Sequence, residues 1–198
     1  MTLGGGLRDA DDDGDDDRDL MRRAQTDLSE FARVYDKYVS VIYGYCRRRL
    51  DSDTLAEDAT SIIFMKALAA APGFKPGSGT GTVRSWLFTI AHNAVLDQIR
   101  IQARGPSQPL DVAFDLIDGA PGPETAALTR ETSREMADAL AWLTGDQRRV
   151  IELRLAGLTG PEIATVLNIS HGAVRSLQRR AVVRMRGALC GADKDAQP

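Results

Sequence analysis

Apolar residues fall at three- and four-residue intervals through most of the chain beyond residue 27, the spacing that lines one face of an α-helix. Phe31, Val34, Tyr35, Tyr38, Ile42 and Tyr45 predict an amphipathic core helix over 28–50, opening just after Asp27. A second helix is predicted over 53–71 through Ile62, Met65 and Leu68; Asp53 or Thr54 caps it, and Glu57 and Asp58 suit the positive end of its dipole. The stretch PGFKPGSGTGT then breaks the period with two Pro and four Gly, and reads as a loop. A third long helix follows over 83–104, with Trp86, Leu87, Ile90, Ala94 and Ile99 on the side expected to be buried. No alternating pattern of a strand interrupts the text, so the predicted fold is all-α.

Residues 105–123, GPSQPLDVAFDLIDGAPGP, carry Pro and Gly at both ends and no sustained period, which marks a flexible linker between two small helical domains. Its apolar middle, Leu110 to Ile117, suits docking against a partner. Helical text resumes at Glu124 and runs through Met136, Leu140 and Leu143; Thr144 then caps a helix over 145–156 that Gly157 ends. The domain organisation expected is an acidic tail over 1–26, a first module over 27–104, the linker, a second module over 124–190 and a short tail over 191–198.

Within the second module, TGPEIATVLNISHGAVRSLQRRAVVRMR at 159–186 has the spacing of a helix-turn-helix. Ile163, Leu167, Ile169, Val174 and Leu177 form the inner surface of two crossing helices, and the small Ala164 permits their approach. Asn168 takes the turn position that needs a left-handed backbone, and Ser170 caps the second helix. Arg175, Ser176, Arg179 and Arg180 face outward, where guanidinium groups suit phosphates and guanine edges in the major groove.

Charge first argues against a nucleic-acid partner: the chain carries a net −3. That acidity is local. Residues 1–19 hold eight Asp against Arg8 and Arg18, so the remainder is net positive. The block lacks apolar content and reads as a disordered, solvated tail. Its opening Asp9, Asp11, Asp13 and Gly14 imitate a calcium loop, but the loop's last ligand position holds Leu20, so no metal is expected. Cys46 and Cys190 have no CxxC partner, and His92 and His171 lie in different modules, so neither a cofactor nor an enzyme active site is expected. His92 reads as a surface residue. No apolar run is long enough to span a bilayer and no secretory signal opens the chain; a cytoplasmic protein without membrane association is expected.

Three segments together resemble the extracytoplasmic-function (ECF) group of bacterial RNA polymerase sigma factors, in the sigma-70 family. They are LAEDATSIIFMKAL at 55–68, SWLFTIAHNAVLDQIR at 85–100 and LTGDQRRVIELRLAGLTGPEIATVLNIS at 143–170 with the basic helix after it. The resemblance covers about Phe31 to Leu189. It implies that the first module is sigma region 2 and the second sigma region 4, and that the protein directs promoter-specific transcription initiation. Partners so implied are core RNA polymerase, through its beta-prime clamp and beta subunit, promoter DNA and an anti-sigma factor.

By the same resemblance, Glu57, Asp58, Ser61 and Met65 meet the polymerase, with Asp58 foremost. The loop over 73–82 and the helix after it act on the minus-ten element. There Arg84, Arg100 and Arg104 hold phosphates, Asn93 reads a base edge, and Trp86 and Phe88 are walls for an unstacked base. Arg175, Ser176, Arg179 and Arg180 read the minus-thirty-five element as duplex. Family members commonly carry Arg and Leu where this chain has Leu177 and Gln178, so base preference does not transfer. The rival reading, a conventional helix-turn-helix regulator outside the polymerase, accounts for the second module and leaves the first unexplained.

Overall fold

A computed structural model describes residues 12–50, 52–75, 81–103 and 140–192. The described residues form helices and connecting turns without a strand: α1 (Asp12–Ala24), α2 (Leu28–Arg49), α3 (Asp53–Ala70), a single 3-10 turn at Ala71–Gly73, α4 (Val83–Ala103), α5 (Gly145–Leu155), α6 (Gly160–Leu167) and α7 (His171–Ala192). Arg104, the linker over 105–123, the helical text over 124–139, the first eleven residues and the tail beyond 192 lie outside the described residues.

Local chemistry explains the helix ends. The Asp27 side chain accepts from the Ser29 amide at 2.9 Å at the start of α2. The cap of α3 is Ser52, whose hydroxyl accepts from the Leu55 amide at 3.4 Å, one residue ahead of the Asp53 or Thr54 expected. Gln147 reaches back to the Thr144 amide at 3.1 Å, and Glu162 to the Thr159 amide at 2.8 Å, each bracing the first turn of its helix. Gly157, expected to end α5, has a φ of +85°.

One correction concerns the acidic block. Residues 12–24 are helical, where composition alone argues for disorder through residue 26. The reason is a short apolar stripe at the end of the block: Leu20, Met21 and Ala24 are buried against α2 and α4. Asp17 is buried too, and it is compensated: Lys37 pairs with it at 2.6 Å and the Tyr38 hydroxyl donates to it. Burial, and then the Asp17 carboxylate, push the Tyr38 hydroxyl well above its ordinary range, so it remains a donor. Gln25 fastens the end of α1 by donating to the carbonyls of Ala71 at 3.1 Å and Phe74 at 2.5 Å.

The first module packs α2, α3 and α4 around Tyr38, Ile42, Tyr45, Ile63, Leu87 and Phe88, all fully buried. Ala56, Ala59 and Ala67 line the inner face of α3, and such small side chains permit close helix packing. Two residues expected at the surface of α4 are core. Phe88 is completely buried and meets the Tyr45 ring edge-on, with centroids 5.6 Å apart, so it offers no wall to a base. His92 is only 5% exposed, and its Nδ1 shares a hydrogen bond with the Tyr45 hydroxyl at 3.0 Å.

Burial, aided by the positive charges of Arg49 and Arg149, lowers the His92 imidazole to about 4 from its ordinary 6.5. The unfolded chain therefore takes up a proton that the folded chain refuses, and stability is full above pH 6.5 and declines as pH falls towards 4. About 2 kcal/mol is expected to be lost between pH 7 and pH 5. Urea unfolding at the two values checks this, with His92→Gln expected to flatten the dependence.

The second module wraps α5, α6 and α7 around Val150, Leu153, Leu158, Ile163 and Val174. Its core is continuous with that of the first module, because α4 packs directly on α6. Among the described residues no helix is long and apolar enough to cross a membrane.

Candidate nucleic-acid interface

The turn between α6 and α7 has the expected geometry. Asn168 is the one non-glycine residue with positive φ among those described, at φ 52° and ψ 47°. Ser170 Oγ then accepts from the Ala173 amide at 3.1 Å and opens α7. Besides the half-buried Ala164, Gly160 is tightly placed: a Cβ on it would lie 2.6 Å from His171 Nε2. No spacing rule singles out that glycine, because its constraint comes from a side chain eleven residues away.

Along α7, Val174 and Ala181 are fully buried and Leu177 is half-buried, all on one side. Arg175, Arg179 and Arg180 are exposed and Ser176 is half-buried on the opposite side, within an arc of about 140° at 100° per residue. With Val183, Arg184 and Gln147, two of these arginines line an open groove. The arrangement is a helix presenting exposed cationic donors along one face, a form that enters a major groove.

On α4 the predicted residues divide. Trp86, Asn93 and Arg100 recur every seven residues and so lie within about 40° of one another, spread over roughly 21 Å of helix. Asn93 is exposed, and Arg100 is exposed beside Asp97 at 2.8 Å. Trp86 is half-buried against Phe74, with ring centroids 5.1 Å apart, so only part of the indole faces outward. Arg84 is on the other side of the helix. Its guanidinium lies 5.9 Å over the Tyr38 ring, and its Nη1 donates to the Gly157 carbonyl of the second module at 3.0 Å.

On α3, Glu57, Asp58, Ser61 and Met65 are all exposed and fall within an arc of about 100°. Ile62 and Leu68 border them at 39% and 36% exposure, and Met65 reaches 62%. The result is an acidic second turn that continues into an uncovered apolar ridge, while Ile63 anchors the opposite face in the core. Such a mixed face suits a protein partner better than nucleic acid.

Comparison with known proteins bears on both modules. Residues 34–105 match the family described as Sigma-70 region 2, and residues 139–187 match Sigma-70, region 4. The chain is 32% identical over 176 residues to the ECF RNA polymerase sigma factor BldN of Streptomyces coelicolor, covering 87% of this chain and 66% of that relative. It is 29% identical over 174 residues to the ECF RNA polymerase sigma factor SigK of Mycobacterium tuberculosis, covering 86% and 91% of the two chains. Among solved structures, CnrH in complex with the cytosolic domain of CnrY superposes with a TM-score of 0.68 at 25% identity, covering 89% of this chain and 98% of that one. RpoE from Bartonella quintana, solved with the anti-sigma factor NepR, shares the fold at a TM-score of 0.60 and 23% identity, over 81% and 96% of the chains. The two helical modules, their order and the basic recognition helix thus have one source: the chain belongs to the sigma-70 family, in its ECF group.

Proposed function

We propose that this chain is an alternative sigma factor that binds core RNA polymerase in the cytoplasm and directs transcription from promoters carrying its minus-ten and minus-thirty-five elements. The observation that carries the reading is the presence, on one chain, of two exposed faces of different chemistry. The basic face of α7 suits duplex DNA, and the acidic and apolar face of α3 suits protein. A conventional regulator would need the first and has no use for the second.

Roles follow from position. Glu57, Asp58, Ser61 and Met65 meet the polymerase clamp. Asn93 reads an unstacked base of the minus-ten element, with the outward part of Trp86 beside it and Arg100 on the backbone. Arg175, Ser176, Arg179 and Arg180 bind the minus-thirty-five duplex, and an anti-sigma protein that covers these faces would silence the chain. Arg84 joins the backbone contacts only when released from Gly157.

Arg175→Ala is expected to weaken holoenzyme binding to fragments with the minus-thirty-five element by about 1–3 kcal/mol. The loss should be confined to that element. Competition binding against unrelated duplex checks it, since an equal loss on every sequence makes Arg175 a phosphate contact. Binding of the purified chain to core polymerase tests the reading as a whole, and a chain that binds promoter duplex but never polymerase supports the regulator reading instead.

A further inference from the structure

An acidic side chain stands on the face of α4 that is otherwise fitted to nucleic acid. Asp97 lies about 20°, 40° and 60° around the helix from Trp86, Asn93 and Arg100, so it shares their side. Its carboxylate is 57% exposed, and Arg100 Nη1 donates to its Oδ1 at 2.8 Å. Phosphate repels a carboxylate. Asp97 therefore works against a surface meant only to hold a DNA backbone. Arg100 offsets part of that repulsion, and its five N–H donors let it hold Asp97 and still reach a phosphate.

Position along α4 decides what Asp97 meets. The loop over 73–82 precedes the helix, and Asp97 lies about 21 Å beyond the first residue of α4 and about 6 Å beyond Asn93. With strand opening assigned to that loop, the end of α4 that carries Asp97 faces base pairs still closed. Edge chemistry then selects the base. An ionised carboxylate only accepts hydrogen bonds. In the major groove guanine shows two acceptors, N7 and O6, and thymine shows an acceptor and a methyl group, so both are rejected. Adenine offers its N6 amine but sets the acceptor N7 beside it, against the second carboxylate oxygen. Cytosine offers its N4 amine with no acceptor beside it.

Resting on the sigma-factor reading, we infer that Asp97 is a specificity-determining residue: its carboxylate accepts from the N4 amine of a paired cytosine at the closed edge of the minus-ten element. That base pair lies on the closed side of the base read by Asn93. Arg100 keeps the carboxylate in place and ties it to the backbone. A carboxamide at the same site would carry a donor beside its acceptor, the pair that matches adenine N7 and N6. Exchange of one oxygen of Asp97 for an amide nitrogen thus changes which base is accepted.

The test is transcription by the holoenzyme from promoter fragments in which each position of the minus-ten element and the pairs flanking it carries each base in turn. The parent chain should favour cytosine at one closed-edge position by about 5–150-fold. Asp97→Asn should move that preference to adenine, and Asp97→Ala should flatten it, with preferences at the other positions unchanged. Both variants should keep the circular dichroism spectrum and thermal melting of the parent, because the side chain is exposed. Variants whose base preferences match those of the parent overturn the inference, as does a parent preference for another base at the position they alter. An equal gain on every fragment also overturns it, and makes Asp97 and Arg100 an ordinary surface ion pair. Absence of any transcript with the parent chain overturns the sigma-factor reading and this inference together, whereas transcription with an unmoved preference overturns the inference alone.

Discussion

Asp58→Arg is expected to abolish association with core RNA polymerase while the chain remains folded. Asp58 is exposed on the first turns of α3, on the opposite side from Ile63 and Phe64, so a long cation there disturbs no packing. The arginine reverses the charge at the head of the apolar ridge of Ile62, Met65 and Leu68. A like charge set against a cationic partner surface costs several kcal/mol, which converts to a loss of more than a hundredfold in affinity. Its proximity to the positive end of the α3 dipole costs the free protein only about 0.3–1 kcal/mol, so thermal unfolding should shift little. Titration against labelled core polymerase checks the first effect and thermal melting the second. Unchanged affinity in a folded variant removes Asp58 from the interface.

Phe88→Ala is expected to lower stability by about 3–5 kcal/mol. The ring is fully buried, meets Tyr45 edge-on and belongs to the core shared by α2, α3 and α4. Its removal opens a cavity that the rigid helices cannot fill. Urea denaturation of the variant measures the loss. The contrasting result, unchanged stability with a defect confined to promoter opening, would restore Phe88 to the DNA-facing side where its place in the motif first suggests it. The same substitution at Trp86, half-buried against Phe74, should cost less and should affect strand opening more.

The helix-turn-helix was legible because its determinants are local. A left-handed Asn168, a capping Ser170 and inward Ile163 and Val174 are all set by chemistry within a few residues. The face of α3 came from the family resemblance instead: the apolar positions Ile62, Met65 and Leu68 that predicted the helix lie on its exposed side, while Ala56, Ala59, Ile63, Phe64 and Ala67 are buried. On α4 local reasoning misplaced Phe88 and His92, because the helix is covered on several sides. Val83, Ser85, Leu87, Phe88, Ala91, His92, Ala94 and Val95 are all buried, a wider arc than one amphipathic stripe predicts. The partners that bury them lie on α1, α2, α3 and the second module, and periodicity carries no information about any of them. In α1 the charge of the Asp block outweighs Leu20, Met21 and Ala24 in any compositional reading, yet those three residues decide the helix's fate once α2 and α4 supply a surface. Glu152 illustrates the same limit. As text it is a polar position on α5; its meaning depends on Arg49, which is far off in sequence and 2.9 Å away in space.

The most direct measurement is run-off transcription in vitro with purified core RNA polymerase and a library of promoter fragments. The sigma-factor reading predicts transcripts that require both the chain and the polymerase, that start a fixed distance downstream of a shared pair of elements, and that disappear with Asp58→Arg. A chain that binds duplex DNA yet yields no transcript dependent on it from any fragment would contradict that reading.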